Sequence, residues 1–318
     1  MEGIINVLKP PGMTSHDVVS FLRRTLGEKK IGHCGTLDPQ AAGVLPVCLG
    51  QATKLASYLS GGKKSYYCEM ALGYETDTQD IWGEITQTFP RSSQRAQNDP
   101  EAIREAFRSQ TGEIWQEAPA YSSVKKDGKS LHRYAREGKP VTGITRKVRI
   151  DSIDLIGFGG DKIRFIVYCG SGTYVRTLCR DIGRKLDTGG AMSFLLRLSV
   201  GPCLLEDSVT LEEIQDRASA GEKLPDGILL PKELALSALP CLQAGRGEAI
   251  ALRQGQVVWL RAEAPQRVNP VQADPQVWTG RMIWVADDDR RLVALGFGEP
   301  GQSGREGQFL FKPDKTFV

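Results

Sequence analysis

Residues 31 to 47, IGHCGTLDPQAAGVLPV, set a single carboxylate, Asp38, in a tight turn between short apolar runs. Gly32, Gly35 and Gly43 free the backbone there, and Pro39 stiffens the residue after the acid. Such a turn fixes one side chain in place while letting a bulky ligand come close to the main chain, as a loop that positions chemistry must. Asp38 is therefore the candidate reacting group. Asp followed by Pro is also what turn geometry favours for its own sake, so support has to come from the rest of the chain.

Around this stretch the pattern alternates between strand and helix signals. GIINVLK reads as a short strand, and Lys9-Pro10-Pro11-Gly12 as a turn. A helix follows, capped by Thr14 or Ser15, with Val18, Val19, Leu22 and Leu26 on one face and Gly27 at its end. Arg23, Arg24, Lys29 and Lys30 form a basic cluster just before the turn, suited to phosphate contact. Gln51 to Leu59 looks helical, and residues 65 to 73 read as a strand that puts Tyr66 and Tyr67 on opposite faces. Asp80 lies in the polar turn YETDTQDIWGEI. A polar connection, 88 to 100, leads to an amphipathic helix over 99 to 110, with Pro100 at its start and Ile103 and Phe107 on one face.

Between 118 and 138 the basic residues Lys125, Lys126, Lys129, Arg133 and Arg136 outnumber the acids; with Arg146, Lys147 and Arg149 they make the best polyanion-facing patch. Strands are expected at 146 to 156 and 162 to 169. Gly170 and Gly172 break the second, Thr173 can cap, and a helix follows with Leu178 and Ile182 one turn apart and Tyr174 and Arg176 at its start. SVTLEEIQDRA reads as a short capped helix inside a connector, 206 to 236. From 237 short β-like runs are separated by Gly, Pro and acidic turns, which predicts a small β-barrel interrupted by a Pro-rich insertion at 262 to 276.

At 318 residues one large and one small domain are expected. Seven scattered cysteines, never in a C-x-x-C arrangement, argue against a disulfide framework and a zinc site and for reduced, buried thiols. The apolar runs are short and broken by charge, and MEGIINVLKPPGMTS lacks the regions of a signal peptide, so a cytoplasmic chain without membrane contact is expected. The net charge of +3 hides an asymmetry: Lys and Arg exceed Asp and Glu by seven over residues 1 to 200 and fall short by four over 201 to 318. A basic body suits a polyanionic partner.

GHCGTLDPQAAGVLPV resembles, nearly residue for residue, the catalytic motif of the TruB-type tRNA pseudouridine synthases. KPPG, the T-D-x-x-D-x-x-G run, APAYSSVKKDGK, GTYVRT and SFLLRLSVG resemble further motifs of that family, in the same order, over residues 3 to about 202. The resemblance implies an α+β fold: a mixed, mainly antiparallel sheet with flanking helices over residues 1 to 205, then the connector, then a PUA-like RNA-binding barrel over 237 to 318. It also implies conversion of uridine 55 in the T arm of tRNA to pseudouridine, with Asp38 essential. Tyr66 would pack against the target base, Tyr174 and Leu195 would line its pocket, Asp80 would lie near the cleft, and Arg176 would pair with Asp38. His33 would help replace the flipped base in the RNA stack. Arg23, Arg24, Lys29, Lys30, Lys125, Lys126, Lys129 and Arg133 become candidates for the RNA backbone, and the family implies a monomer.

The implied reaction breaks the N1–C1′ bond, turns the uracil and rejoins it through C5, so substrate and product are isomers and no cofactor or metal is expected. The chain accordingly has no Walker loop, no dinucleotide glycine signature after a strand, and only three histidines, at distant positions. Asp38 would act as a nucleophile at C1′ or as a base at C2′, and a neighbouring guanidinium favours its charged form. Two other readings compete. A non-catalytic tRNA-binding or tRNA-folding protein would place no demand on Asp38 or Arg176; a nucleosidase-like hydrolase would need a second carboxylate, for which Asp80 is the candidate.

Overall fold

The computed structural model describes residues 1–89, 99–139, 141–221, 224, 227–261, 279–299 and 308–317; the insertion at 262 to 276 and most of the polar connection at 88 to 100 lie outside the described residues. Strand β1 (Gly3–Lys9) leads into helix α1 (Ser15–Leu26). Thr14 caps that helix through a reciprocal box with Asp17, and Gly27 closes it at a φ of 64°. Val18, Val19 and Leu22 bury their side chains with Ile5, Val7, Leu45 and Val47. Strands β2 (Ile31–His33) and β3 (Ala42–Leu49) flank the Asp38 turn. The helix expected at 51 to 59 is a 3-10 stretch (Gly50–Leu55) that widens into a short α-helix, α2 (Ala56–Gly61).

Strand β4 (Lys64–Leu72) follows, then the hairpin β5 (Tyr74–Thr76) and β6 (Ile85–Thr88), then helix α3 (Pro100–Ser109), capped by Asp99. Strand β7 (Gly112–Glu117) precedes the small hairpin β8 (Lys125–Lys126) and β9 (Lys129–Ser130), which runs into α4 (Leu131–Arg136). The long β10 (Thr145–Gly159) and β11 (Lys162–Cys169) lead to α5 (Val175–Lys185) and β12 (Gly190–Val200), with β13 (Cys203–Leu204) turning back on it. Helix α5 starts at Tyr174 with no side-chain cap; Thr173, expected there, gives its hydroxyl proton to the Gly170 carbonyl instead. Next come α6 (Leu211–Ser219), again with a capping box, and β14 (Leu229–Leu230).

These strands form one ten-stranded sheet in the order β14-β1-β3-β12-β4-β11-β10-β7, with β2 attached to β3 and β13 to β12. The connector thus supplies an edge strand, with Ile4 opposite Leu230. Every pairing in this sheet is antiparallel except β3 with β12, where Leu196 lies opposite Ala42 and Arg197 opposite Gly43. Gly43 is required at that contact: its φ is +112°, and a Cβ there would stand 2.3 Å from the Arg197 carbonyl oxygen. Tyr66 points into a core shared with Phe165, Leu178, Ile182 and Leu195, while Tyr67 meets Phe194 edge-on across the other face.

The closing sheet is built from β15 (Cys241–Gln243), β16 (Val258–Arg261), β17 (Met282–Ala286), β18 (Leu292–Glu299) and β19 (Gln308–Thr316), in the order β15-β17-β18-β19-β16, with α7 (Arg246–Arg253) packed against it. It is an open half-barrel of the PUA-like kind. Trp284, Leu292, Leu295 and Phe317 share one core with Cys48, Leu55 and Leu59, so the two sheets are joined by apolar packing as well as by chain. Among the described residues no helix is long and apolar enough to cross a membrane.

All seven cysteines are buried and unpaired. The neighbouring Cys48 thiol and burial push Cys34 up, burial and Cys179 push Cys68 up, and burial takes Cys169 to about 11 and Cys203 and Cys241 to about 12. Burial draws Lys9 and Lys64 the other way, down to about 8. Above pH ~8.5 the unfolded chain releases thiol protons that the folded chain keeps, so stability falls as pH rises, by up to about 1.4 kcal/mol per thiol per pH unit. The two lysines oppose this, since their stability contribution grows toward pH ~10.4, but five thiols outweigh them. Urea midpoints measured under reducing conditions are expected to drop between pH 8 and pH 10; a rise over that interval contradicts the burial of the thiols.

Candidate active site

The Asp38 turn is held from both sides by groups distant in sequence. On one side the Ser15 hydroxyl accepts from the Leu37 N–H at 2.9 Å and donates to the Leu37 carbonyl at 3.3 Å, while the Gly12 N–H donates to the Pro39 carbonyl at 2.8 Å. Lys9, fully buried, gives its ammonium protons to the carbonyls of Pro10, Met13 and Pro39 at 2.8, 2.5 and 3.0 Å. On the other side Arg197, on β12, donates from Nε to the Val44 carbonyl at 2.7 Å and from Nη2 to the Gly35 carbonyl at 3.1 Å. Among the described residues no carboxylate stands within ion-pair distance of this buried guanidinium; peptide oxygens on either side of the turn compensate it.

Asp38 itself is gripped by Arg176. Nε lies 2.8 Å from Oδ2 and Nη2 lies 3.2 Å from Oδ1, the two-pronged geometry that matches a carboxylate. The same guanidinium donates to the Thr78 carbonyl at 2.9 Å and the Tyr121 carbonyl at 3.0 Å, and its Nη1 stands 3.7 Å from Asp80 Oδ2. The Arg176 side chain is 6% exposed and that of Asp38 is 36%. The carboxylate is therefore held from within and open outward, where it can attack an electrophilic carbon or take a proton. Asp80 accepts from the Thr78 hydroxyl at 2.6 Å and the Trp82 N–H at 3.2 Å; burial pushes its carboxyl up, with Thr78 and Arg176 acting against that.

Beside this cluster the structure gathers most of the other expected site residues. Tyr66 and Leu195 pack in one core with Leu37, the neighbour of Asp38, and with Val175 at the start of α5. Burial raises the Tyr66 phenol, and the charge of Arg197 opposes the rise. Tyr174 is fixed by a residue the sequence does not single out. Buried Gln116 accepts from its N–H at 3.0 Å and donates to its carbonyl at 3.4 Å, and the Arg146 guanidinium sits 5.6 Å from the centre of its ring. His33 stands apart: no hydrogen bond links it to Asp38 or Arg176 among the described residues. Its Nδ1 is buried without a partner, and burial lowers its pKa, with Arg197 adding to the effect.

The basic candidates divide. Arg24, Lys29, Lys30, Lys125, Lys126 and Arg133 stand exposed. Arg23 gives Nη2 to the Ile31 carbonyl at 2.9 Å, and Lys129 pairs with Glu137 while lying 4.6 Å from the centre of the Tyr134 ring. Cys34 is no nucleophile, being fully buried 3.2 Å from the Cys48 sulfur. No group of three or more His, Cys, Asp or Glu side chains able to hold a metal ion occurs among the described residues.

Comparison with known proteins shows what the chain as a whole is similar to. Residues 23–175 match the family described as TruB family pseudouridylate synthase (N terminal domain), and residues 176–237 match the tRNA pseudouridylate synthase B C-terminal domain. The chain is 44% identical to the tRNA pseudouridine synthase B of Geobacillus thermodenitrificans (strain NG80-2), over 100% of both chains. It is 42% identical to the protein of the same name from Heliobacterium modesticaldum (strain ATCC 51547 / Ice1), over 100% of this chain and 96% of that one. Among solved structures, a chain of a Cbf5–Nop10–Gar1 complex superposes with a TM-score of 0.72 at 25% identity, covering 99% of this chain and 85% of that one. A chain of an archaeal Nop10–Cbf5 complex gives 0.70 at 26%, covering 99% and 86%.

The network around Arg176 carries a prediction about stability alone. Arg176→Met strands a buried cluster of acceptors and is expected to cost about 3 kcal/mol. Asp38→Asn leaves the guanidinium bonded to Thr78 and Tyr121 and is expected to cost much less. Urea unfolding of the two variants decides, and equal losses would show that the guanidinium does not organise the site.

Proposed function

This chain belongs to the TruB family of pseudouridylate synthases, and on that premise we propose that it converts uridine 55 in the T arm of tRNA to pseudouridine, with Asp38 as the group that reacts at the sugar. The observation that carries this reading is the two-pronged Arg176 grip on a carboxylate that is closed within and open outward. The isomerisation breaks N1–C1′, forms C5–C1′, protonates N1 and releases the C5 proton. It therefore asks for one reacting carboxylate and a pocket that holds the freed uracil while it turns. Tyr66 and Leu195 offer an apolar floor for that base, and Tyr174, locked by Gln116, offers a wall.

A uridine inside a folded loop reaches such a pocket by leaving its stack, and aromatic surfaces compensate the stacking it gives up. The exposed cations Lys125, Lys126 and Arg133 on one segment, and Arg24, Lys29 and Lys30 on another, supply charge for the RNA backbone. Asp80 supports the site by sharing the guanidinium that orients Asp38. The nucleosidase reading would need Asp80 as its second carboxylate, and Asp80 is 14% exposed at its side chain and engaged by Thr78, Trp82 and Arg176, where Asp38 is open at 36%.

The test is tritium release from tRNA labelled at uridine C5. Release is expected from the wild type, none from Asp38→Asn, and none from a transcript with cytidine at position 55. Arg176→Lys keeps the charge but loses the fork, and is expected to slow release about 100-fold through misplacement of Asp38. Binding of tRNA without release by the wild type would make the protein a tRNA binder and end the catalytic reading.

A further inference from the structure

The turn between β5 and β6 is tied down along its whole length. Asp77 accepts from the Glu84 N–H at 2.9 Å and its own N–H donates to the Glu84 carbonyl at 3.1 Å, so the turn closes on itself. The Thr76 hydroxyl donates to the Asp80 carbonyl at 2.6 Å, and the Ile81 N–H donates to the Met192 carbonyl on β12 at 3.0 Å. At Gly83 a Cβ would stand 2.2 Å from the Thr78 hydroxyl and 2.3 Å from Asp77 Oδ1, so a larger residue would push these side chains aside. On its inner side this turn presents Asp80 and the Thr78 carbonyl to Arg176.

On its outer side the same rigid turn holds large apolar side chains in water. Ile81 is 40% exposed, Trp82 49% and Ile85 60%. About half of Trp82 stays in water, and large apolar side chains left exposed on a backbone held this way are a usual mark of a contact surface. Its place narrows the partner. One residue separates Trp82 from Asp80, Arg176 bonds to both this turn and exposed Tyr121, and the segment that carries Tyr121 continues into the exposed cations Lys125 and Lys126. An exposed aromatic face separated by one residue from the Asp38–Arg176–Asp80 cluster fits an unpaired nucleobase, since every base offers a π-face.

We propose that Trp82, at the rim of the Asp38 site, is a stacking platform for an unpaired base of the RNA substrate that stays outside the uridine pocket, with Ile81 and Ile85 covering its sugar. This rests on the RNA-modifying reading above. Because the platform holds a base that does not react, its loss weakens binding of ground state and transition state alike and shows in KM.

Steady-state tritium release with Trp82→Ala and Trp82→Phe tests it, alongside melting temperatures without RNA and the tRNA affinity of Trp82→Ala placed in the inactive Asp38→Asn background. Trp82→Ala is expected to raise KM and weaken affinity about tenfold, the lower part of the range for one stacked base, while kcat moves less than twofold. Trp82→Phe, which keeps a ring, is expected to recover most of the affinity. An unchanged KM with a fully active wild type overturns the platform and leaves the synthase reading standing. Equal losses for Ala and Phe, together with a lowered melting temperature, make Trp82 a structural residue and overturn it too. A wild type that releases no tritium removes the synthase reading, and the platform then stands or falls on the affinity comparison alone.

Discussion

One almost fully buried guanidinium joins the parts of the site. Arg176, from the first turn of α5, reaches the Asp38 turn, the Thr78–Asp80 turn and the Tyr121 carbonyl, three segments far apart in the chain. Taking such a charge out of water is costly unless its donors are satisfied, so each segment is held in place by the penalty for leaving. A lysine could not do this: its ammonium is a compact point charge, whereas the planar fork meets both oxygens of a carboxylate and keeps donors for two carbonyls. Asp38 is thereby the outer member of a network whose inner members are fixed.

Arg197 plays the complementary part, and by different means. It has peptide oxygens where Arg176 has carboxylates, and it ties Gly35 on one side of the turn to Val44 on the other. This depends on β3 and β12 running parallel and close, which only a glycine at position 43 permits. Backbone contact, buried cation and the Asp38 turn are therefore one piece of construction. The buried ammonium of Lys9 repeats the device from the opposite side, with three carbonyls as acceptors.

Local physics made part of this legible in the sequence. The capped helix α1, the opposite faces of Tyr66 and Tyr67, and the turn that carries Asp38 all follow from residue type and period. Family likeness supplied the Arg176 pairing, which spacing alone would have left at a solvated helix start. The supports stayed hidden because each is a bond across a long stretch of chain with no periodic trace. Ser15 reads as a cap and Lys9 as part of a turn, yet one bonds 22 residues away and the other 30. Gln116 and Tyr174 are 58 residues apart. On β12, bulges at 192–194 and 197–199 leave only a short regular stretch around Leu195 and Arg197, too short to show a period in the sequence. Charge counting likewise cannot separate Arg23 and Lys129, already engaged, from exposed Arg24 and Lys125.

The short strand β14 gives the large sheet a property that concerns time. Its residues Leu229 and Leu230 pair with Ile5 and Ile4, almost at the opposite end of the catalytic part of the chain. Asp38 likewise waits for Arg176, 138 residues later, and Gly35 for Arg197, 162 residues later. A ribosome adding about 5–20 residues per second needs many seconds to cover such separations, and contacts this distant are intrinsically slow to form. The nascent chain therefore carries Asp38 without its Arg176 partner while 138 of its 318 residues are added. The fold is its own timer, and the site is assembled only once α5 and β12 have arrived.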